Sequence, residues 1–168
     1  SGARRPRILE RKGVRVAFLA YLGMFPPLLP LEPAGPSVAM ADPVHMRADI
    51  ASAAGKADAV IVSIHAGVEM RTTPSWRQKS LAREAISAGA DVVVGHHPHV
   101  VQPLVQYRGK HIFYSLGNFV FNPSPSFLRN PTGPWSAMAD IRLSRRGVVE
   151  AKLVPLQIVD RQPRPRKR

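Results

Sequence analysis

Three short apolar runs, rich in β-branched residues, constrain the fold of this chain more than any other feature. They are VRVAFLAYL at 14–22, AVIVSI at 59–64 and DVVV at 91–94. Each run is typical of a strand that is buried on both faces. The segments between the runs are long enough for one helix each. An order of strand, helix, strand, helix, strand predicts an α/β fold with a parallel sheet and crossover helices.

Capping residues mark both helices. Asp42-Pro43 is typical of an N-cap followed by proline at the first helical position, and it predicts a helix over 43–54. Ser75 is a second N-cap and predicts a helix over 76–87. A glycine follows each segment and would end it. In the second helix we expect four residues on one apolar face: Trp76, Leu81, Ala85 and Ala88.

Beyond residue 100 the pattern changes from alternating strands and helices to β-hairpins. Turn residues such as Arg108-Gly109 separate short runs of strand-forming residues. The strands predicted in this region are 100–107, 111–114, 119–121, 137–143 and 148–154. The predicted fold is therefore a parallel β-α-β-α-β unit followed by C-terminal β-hairpins.

Charge divides the chain into three segments. Of its 24 Lys and Arg residues, six lie in residues 1–15 and five in residues 161–168, whereas residues 16–160 hold 13 basic and 10 acidic residues. Basic, proline-rich ends are most often solvated tails. Electrostatic contact with an anionic polymer or with lipid headgroups is the alternative. We expect a basic segment at 1–13, one domain at 14–156 and a basic tail at 157–168.

Composition excludes several classes of site. The chain of 168 residues has no cysteine, which excludes disulfides, thiolate metal sites and cysteine nucleophiles. No apolar run approaches the roughly 18 residues that cross a bilayer. The N-terminus lacks the pattern of a secretory signal. Because the chain begins with Ser1 and not with Met, we expect a piece of a longer protein.

Histidines follow two of the predicted strands directly. His65 ends the second run, and three more histidines follow the third run within GHHPH at 95–99. Carboxyl ends of neighbouring parallel strands meet at one edge of a sheet, so we expect these histidines to converge. Neutral imidazoles in such a place are good ligands for Zn, Mn or Fe. The alternative is a set of loop histidines bonded to backbone or solvent.

The residues around the histidines predict their orientation. Gly95 would free the backbone at the end of the strand. Pro98 favours an extended conformation at His97. Residues two apart in an extended segment point the same way, so His97 and His99 should face one side together and His96 another.

Three motifs resemble the bacterial capsule-synthesis protein family, CapA/PgsA. They are HAGVE at 65–69, AGADVVVGHHPHVVQ at 88–102 and YSLGNFVF at 114–121. The resemblance spans most of residues 10–160. That family is associated with making or exporting poly-γ-glutamate, and it belongs to the calcineurin-like metallophosphatase superfamily. The resemblance implies a pair of mixed sheets with helices outside, built around a two-metal site.

The resemblance also implies roles for single residues. The metal ligands that it implies are His65, His97 and His99. His96 is an added neighbour that would act as a catalytic residue, by orienting a phosphate or donating a proton. Glu69 matches the acid of the family's first motif. Asn118 lies where a polar side chain could support the site, and both are expected to bind substrate.

Two departures from the family pattern limit these expectations. Ala66 stands where the family usually has Trp, so a wall of the pocket is expected to be open. The Asp and Asn-His motifs of the early superfamily strands match nothing in residues 1–60, so the chain resembles the C-terminal half of such a domain. Its partner would be the missing N-terminal half. We expect at most one divalent cation, weakly held in an incomplete site, and no useful phosphoester hydrolysis.

Three functions agree with the sequence. The first is capsule or poly-γ-glutamate synthesis or export, and the second is a metal-dependent phosphoesterase of unknown substrate. The third is a basic module that binds an anionic polymer; nucleic acid is a poor candidate because residues 161–168 contain no aromatic side chain. The resemblance implies a location in the cell envelope, at the outer face of the cytoplasmic membrane, through an anchor upstream of the chain.

Overall fold

Two helices and two β-sheets make up the described part of the chain in this computed structural model. The structure describes residues 2–24, 38–122, 132 and 134–166. A short 3-10 helix at Gly2–Arg4 comes first. The other elements are β1 (Arg7–Arg11), β2 (Val14–Leu22), α1 (Pro43–Ala54), β3 (Ala59–His65), α2 (Trp76–Ser87), β4 (Val92–His96), β5 (Val101–Tyr107), β6 (Lys110–Leu116), β7 (Trp135–Ser144), β8 (Gly147–Val159) and β9 (Gln162–Pro165).

The larger sheet is mixed, with a parallel centre. Its six strands run in the order β1-β2-β3-β4-β6-β5. β2, β3, β4 and β6 run parallel to one another, whereas β1 and β5 pair antiparallel at the edges. The smaller sheet is antiparallel, in the order β7-β8-β9. The predicted α/β class, with a parallel unit followed by hairpins, is confirmed.

Both helices begin and end where their capping residues predict. The Asp42 side chain accepts a hydrogen bond from the backbone N–H of His45 over 3.0 Å. Ser75 and Gln78 form a capping box at the start of α2. The prediction for Trp76 is wrong, because this side chain is 77% exposed. It lines a surface cavity beside Arg83 instead of facing the core.

Two apolar layers hold the sheets and helices together. One layer lies between the larger sheet and the helices, where Met46 and Ile50 of α1 are fully buried. The other lies between the two sheets, where Phe113 is fully buried against partly buried residues of β7 and β8. Helices thus cover one face of the larger sheet, and the smaller sheet covers part of the other. The prediction that the run at 14–22 is buried on both faces is wrong, because burial alternates along β2 and Phe18 is 39% exposed.

The basic ends of the chain are not free tails, so that prediction is wrong for β1 and β9. β1 pairs with β2 through a turn at Lys12-Gly13, where φ is 52° and 72°. β9 pairs with β8, which itself extends to Val159. Backbone ladders need no apolar side chains, and charged side chains suit an exposed edge strand. All five residues of β1 are indeed exposed.

Two further local predictions are wrong. Residues 119–121 form no strand, and the side chains of Phe119 and Val120 are 54% and 76% exposed. Gly95 does not free a turn, because it lies inside β4. A Cβ there would lie 2.0 Å from the backbone oxygen of Tyr114, so only glycine lets β4 approach β6 this closely.

The helices described by the structure are short relative to a bilayer. None of them is long and apolar enough to span a membrane.

Candidate metal centre

The predicted convergence of the two histidine-bearing strand ends is confirmed. β3 and β4 are parallel neighbours, and their register pairs His65 with His96. Just beyond that pair, the N–H of Ala66 donates to the carbonyl of His96 over 3.0 Å. The loops that leave the two strands therefore start side by side, at the carboxyl edge of the larger sheet.

Three side chains from these two loops form a candidate cation site. The three are Glu69, His97 and His99. Each offers one ligand atom, and these atoms lie within 4.8 Å of one another. The histidines are half-buried and Glu69 is exposed, so the site is open to solvent. His65 lies beside the trio, with its ring centroid 5.0 Å from that of His97. The structure thus brings Glu69 among the histidines and leaves His65 at their margin.

The backbone at His97 and His99 is not extended, so the predicted conformation is wrong. φ is 102° at His97 and 60° at His99, a region that residues with a Cβ rarely adopt. Between these two residues, the carbonyl of buried Pro98 accepts a hydrogen bond from the N–H of Met70 over 2.8 Å. Each such conformation costs roughly 1–3 kcal/mol, and such costs concentrate at functional sites.

Asn118 fixes the orientation of the His99 ring. The Oδ1 of Asn118 lies 2.7 Å from the Nδ1 of His99, and the Nδ2 of Asn118 donates to the carbonyl of His99 over 3.3 Å. An amide oxygen can only accept a hydrogen bond, so Nδ1 carries the proton. The Nε2 of His99 then keeps the lone pair that a metal ion needs.

Burial favours the neutral form of the neighbouring imidazoles. Desolvation lowers the pKa of His96. Desolvation and the nearby His97, His96 and His99 lower the pKa of His65. In their neutral form these two imidazoles place no positive charge next to the trio.

The chemistry of the donor atoms fits one divalent cation. Two imidazoles and one carboxylate occur together in Zn sites and in non-haem Fe sites, and carboxylate oxygen also suits Mn. Among the described residues, none donates a hydrogen bond to the carboxylate of Glu69 or forms an ion pair with it. Its negative charge is therefore available to a cation.

His96 lies on a different surface from the trio. It lines a cavity of about 400 Å³ together with His65, Ser63 and Tyr21. Ala66 does not line this cavity, because its side chain is 1% exposed and packs in the core on the helix side. Ala66 instead lines a separate small cavity of about 10 Å³, together with Gln78 and Tyr114.

Two buried amides near the site were missed from the sequence. Gln78 and Gln102 are 5% and 1% exposed, and they bond to each other beneath the loop that carries Glu69. The Ser75-x-x-Gln78 spacing is a capping-box signal and could have identified the first. Nothing local identifies Gln102, because its partners come from distant parts of the chain.

Comparison with known proteins adds an independent result. The family model described as "Bacterial capsule synthesis protein PGA_cap" matches residues 1–123. The PGA biosynthesis protein CapA of Bacillus subtilis is 37% identical over 156 residues, which are 93% of this chain and 40% of that protein. The capsule biosynthesis protein CapA of Bacillus anthracis is 42% identical over 111 residues, which are 66% of this chain and 26% of that protein.

A third relative matches a shorter stretch of the chain. A probable polyglutamine synthesis accessory protein of Mycobacterium tuberculosis is 38% identical over 63 residues, which are 38% of this chain and 17% of that protein. The chain therefore spans well under half the length of the relatives that it matches.

Proposed function

Since this chain belongs to the bacterial capsule synthesis protein family, we propose that it acts in the cell envelope, in the synthesis or export of an anionic capsular polymer such as poly-γ-glutamate. We further propose that it does so with a divalent cation held by Glu69, His97 and His99. The observation that carries the proposal is the approach of these three ligand atoms to within 4.8 Å of one another. Relatives named for the biosynthesis of PGA and of capsule support the polymer as the substrate class.

The residues of the site divide the chemistry among them. A divalent cation, when bound, would polarise a carboxyl or phosphoryl oxygen and lower the pKa of a bound water. Glu69 would supply negative charge to the cation, and His97 and His99 would supply neutral donors. His65, which lies beside the trio and also lines the cavity, and His96, which lies on the cavity side, would orient an anionic group of the substrate or transfer a proton.

We propose a single cation, because the donor set supplies only one carboxylate. Two dications at close range repel unless bridging carboxylates compensate their charge. Among the described residues, only this one group of three or more potential ligands exists. Any second cation would need ligands from the missing N-terminal half, the partner that the resemblance implies. Phosphoester hydrolysis, the alternative function, would then be slow in this chain alone.

A basic surface between two hairpin turns supports an anionic partner. The side chain of Arg145 donates to the carbonyl of Gly13 over 3.0 Å, which joins the β7–β8 turn to the β1–β2 turn. Arg11, Lys12 and Arg146 lie in or beside the same turns and are exposed. These three and Arg145 make no ion pair with any described residue. Their uncompensated charge would attract a polyanion.

Metal titration tests the proposed function. Calorimetry with Mn²⁺ or Zn²⁺ should show one site per chain. The variants His97→Ala and His99→Ala should each weaken binding by more than about 100-fold, because losing a ligand costs more than losing a residue that supports one. His45→Ala is the matched control, since His45 is exposed on α1, and it should bind like the unaltered chain.

Two results would contradict this proposal. One is the detection of two tight sites, and the other is unchanged affinity in the His97 and His99 variants. An assay with bis(p-nitrophenyl) phosphate and Mn²⁺ separates the alternative, because rapid turnover by this chain would favour a phosphoesterase.

A further inference from the structure

Two glutamine side chains form a buried hydrogen-bonded pair beneath the loop that carries Glu69. The Nε2 of Gln78, on α2, donates to the Oε1 of Gln102, on β5, over 2.8 Å. The same nitrogen donates to the backbone oxygen of Tyr114 over 3.3 Å. Amides cut off from water are costly unless their polar atoms are paired. These two are paired, so their orientation is well determined.

The remaining atoms of the pair bind both ends of one short segment of the loop. The Nε2 of Gln102 donates to the backbone oxygen of Arg71 over 2.8 Å. The Oε1 of Gln78 accepts from the backbone N–H of Ser75 over 3.0 Å. Gln102 and Gln78 therefore bridge Arg71 to Ser75, and we call this arrangement the amide bridge. It fixes the backbone two residues after Glu69.

The loop also packs closely against the segment that carries His97 and His99. A Cβ at Gly67 would lie 2.8 Å from the Cδ of Gln78 and 2.9 Å from the Cγ of Pro98. The N–H of Met70 bonds to the carbonyl of Pro98. The amide bridge thus supports the loop at the point where Glu69 lies opposite His97 and His99.

We propose that Gln102 and Gln78 are positioning residues for Glu69. The exposed side chain of Glu69 makes no hydrogen bond within the described residues, so only its backbone can hold it. Two contacts hold that backbone. The N–H of Met70 bonds to the carbonyl of Pro98, and the carbonyl of Arg71 accepts from Gln102 of the amide bridge. Loss of the bridge would let the carboxylate move away from the imidazoles. This inference rests on the proposed cation site.

The first test is metal affinity in a double-mutant cycle. Gln102→Met keeps the size of the side chain and removes both of its hydrogen bonds, and it should weaken Zn²⁺ binding about tenfold, in the range for residues that support ligands. In a Glu69→Gln background the same change should have no further effect, because the bridge acts through Glu69. Gln106→Met is the matched control, since Gln106 is exposed on the same strand and should leave affinity unchanged.

The second test needs no metal. Trypsin can cleave after Arg71, and the bridge holds the carbonyl of that residue. Cleavage at this bond should be at least about fivefold faster in metal-free Gln102→Met than in the unaltered chain or in Gln106→Met, because local opening governs proteolysis of a folded protein. Equal rates of cleavage would overturn the bridge as a restraint on the loop.

A third measurement covers the case in which Gln102→Met does not fold. In the unaltered chain, the amide hydrogens of Met70 and Ser75 should exchange more slowly than those of Thr72 and Thr73. Rapid exchange at Ser75 would overturn the inference.

The outcomes of these experiments separate the two proposals. If the unaltered chain binds no metal, the cation site fails; if it binds metal and Gln102→Met binds equally well, only the positioning role fails.

Discussion

Asn118 holds His99 at two places, through the ring and through the backbone carbonyl. Its side chain is 9% exposed, so both polar atoms of the amide are used inside the protein. The sequence placed Asn118 near the site through its motif. It did not reveal the partner, because a contact across 19 residues depends on how the segment after β6 returns to the histidines.

Replacing Asn118 tests this contact. Asn118→Leu should lower the affinity for Zn²⁺ by about ten- to 100-fold, because His99 would lose the partner that fixes its protonated nitrogen. Asn118→Asp should lose less affinity than Asn118→Leu, since a carboxylate still accepts from Nδ1 although it cannot donate to the carbonyl of His99. Competition with a chromophoric chelator measures both, and Asn122→Leu is an exposed control. Unchanged affinity in Asn118→Leu would show that Asn118 does not support His99.

At the scale of secondary structure, β4 is the strand that places the histidines, and Gly95 sets its distance from β6. The atoms of β6 that face Gly95 belong to the backbone of Tyr114, which cannot move aside as a side chain could. The apolar run at 91–94 predicted the strand. The run did not indicate that Gly95 is required in the strand, because that requirement depends on which strand pairs with β4.

A pair of glycine variants tests the close approach. Gly95→Ala should lower the free energy of unfolding by about 1–3 kcal/mol or more, as expected for overpacking against backbone. Gly55→Ala is the control, because its Cβ would lie 3.8 Å from the nearest atom and its φ is −74°. That change should be neutral or slightly stabilising. Chemical denaturation measures both, and equal stability of the two variants would contradict the argument.

The elements that sequence predicted best are those with local signals. α1 and α2 begin at N-cap side chains, and β2 and β3 are mostly apolar runs. β1 and β9 were missed because three of the five residues of β1 are charged and two of the four residues of β9 are proline, whereas both strands are held by pairing with a neighbouring backbone. The bend at His97 was missed because Pro98 favours an extended residue before it, whereas φ at His97 is 102°.

At the scale of the whole molecule, an ion pair joins the N-terminal segment to α1. The guanidinium of Arg4 forms two hydrogen bonds of 2.8 Å with the carboxylate of Asp49. The hydroxyl of Tyr21 donates to the same carboxylate over 3.2 Å. Hydrogen bonding to Arg4 holds the pKa of Asp49 below its ordinary value, even though burial acts in the opposite direction.

This contact predicts part of the acid sensitivity of the fold. Because the pKa of Asp49 is lower in the folded chain, the unfolded chain binds protons first as pH falls. The stabilisation is complete above the unfolded pKa of about 3.9 and is lost as pH falls through the lower folded value. The melting temperature of Asp49→Asn should therefore fall less between pH 5 and pH 2 than that of the unaltered chain. Asp160→Asn, at an exposed position, should follow the unaltered chain.

The overall architecture was predictable as far as the order of elements determines it. A parallel unit followed by hairpins implied a mixed sheet, and the neighbouring strand ends implied that His65 and the later histidines meet. Charge alone could not show that the basic ends join the sheets. Nor could it show that Arg145 reaches Gly13 across the molecule, since that contact requires the smaller sheet to pack on the larger one.

The placement of Glu69 after β3 and of His97 after β4 has a consequence for folding. A cation gripping both loops would act as a removable cross-link that closes the crossover containing α2. Because the cation would bind only when both loops are in place, ion occupancy and the pairing of these two strands would reinforce each other.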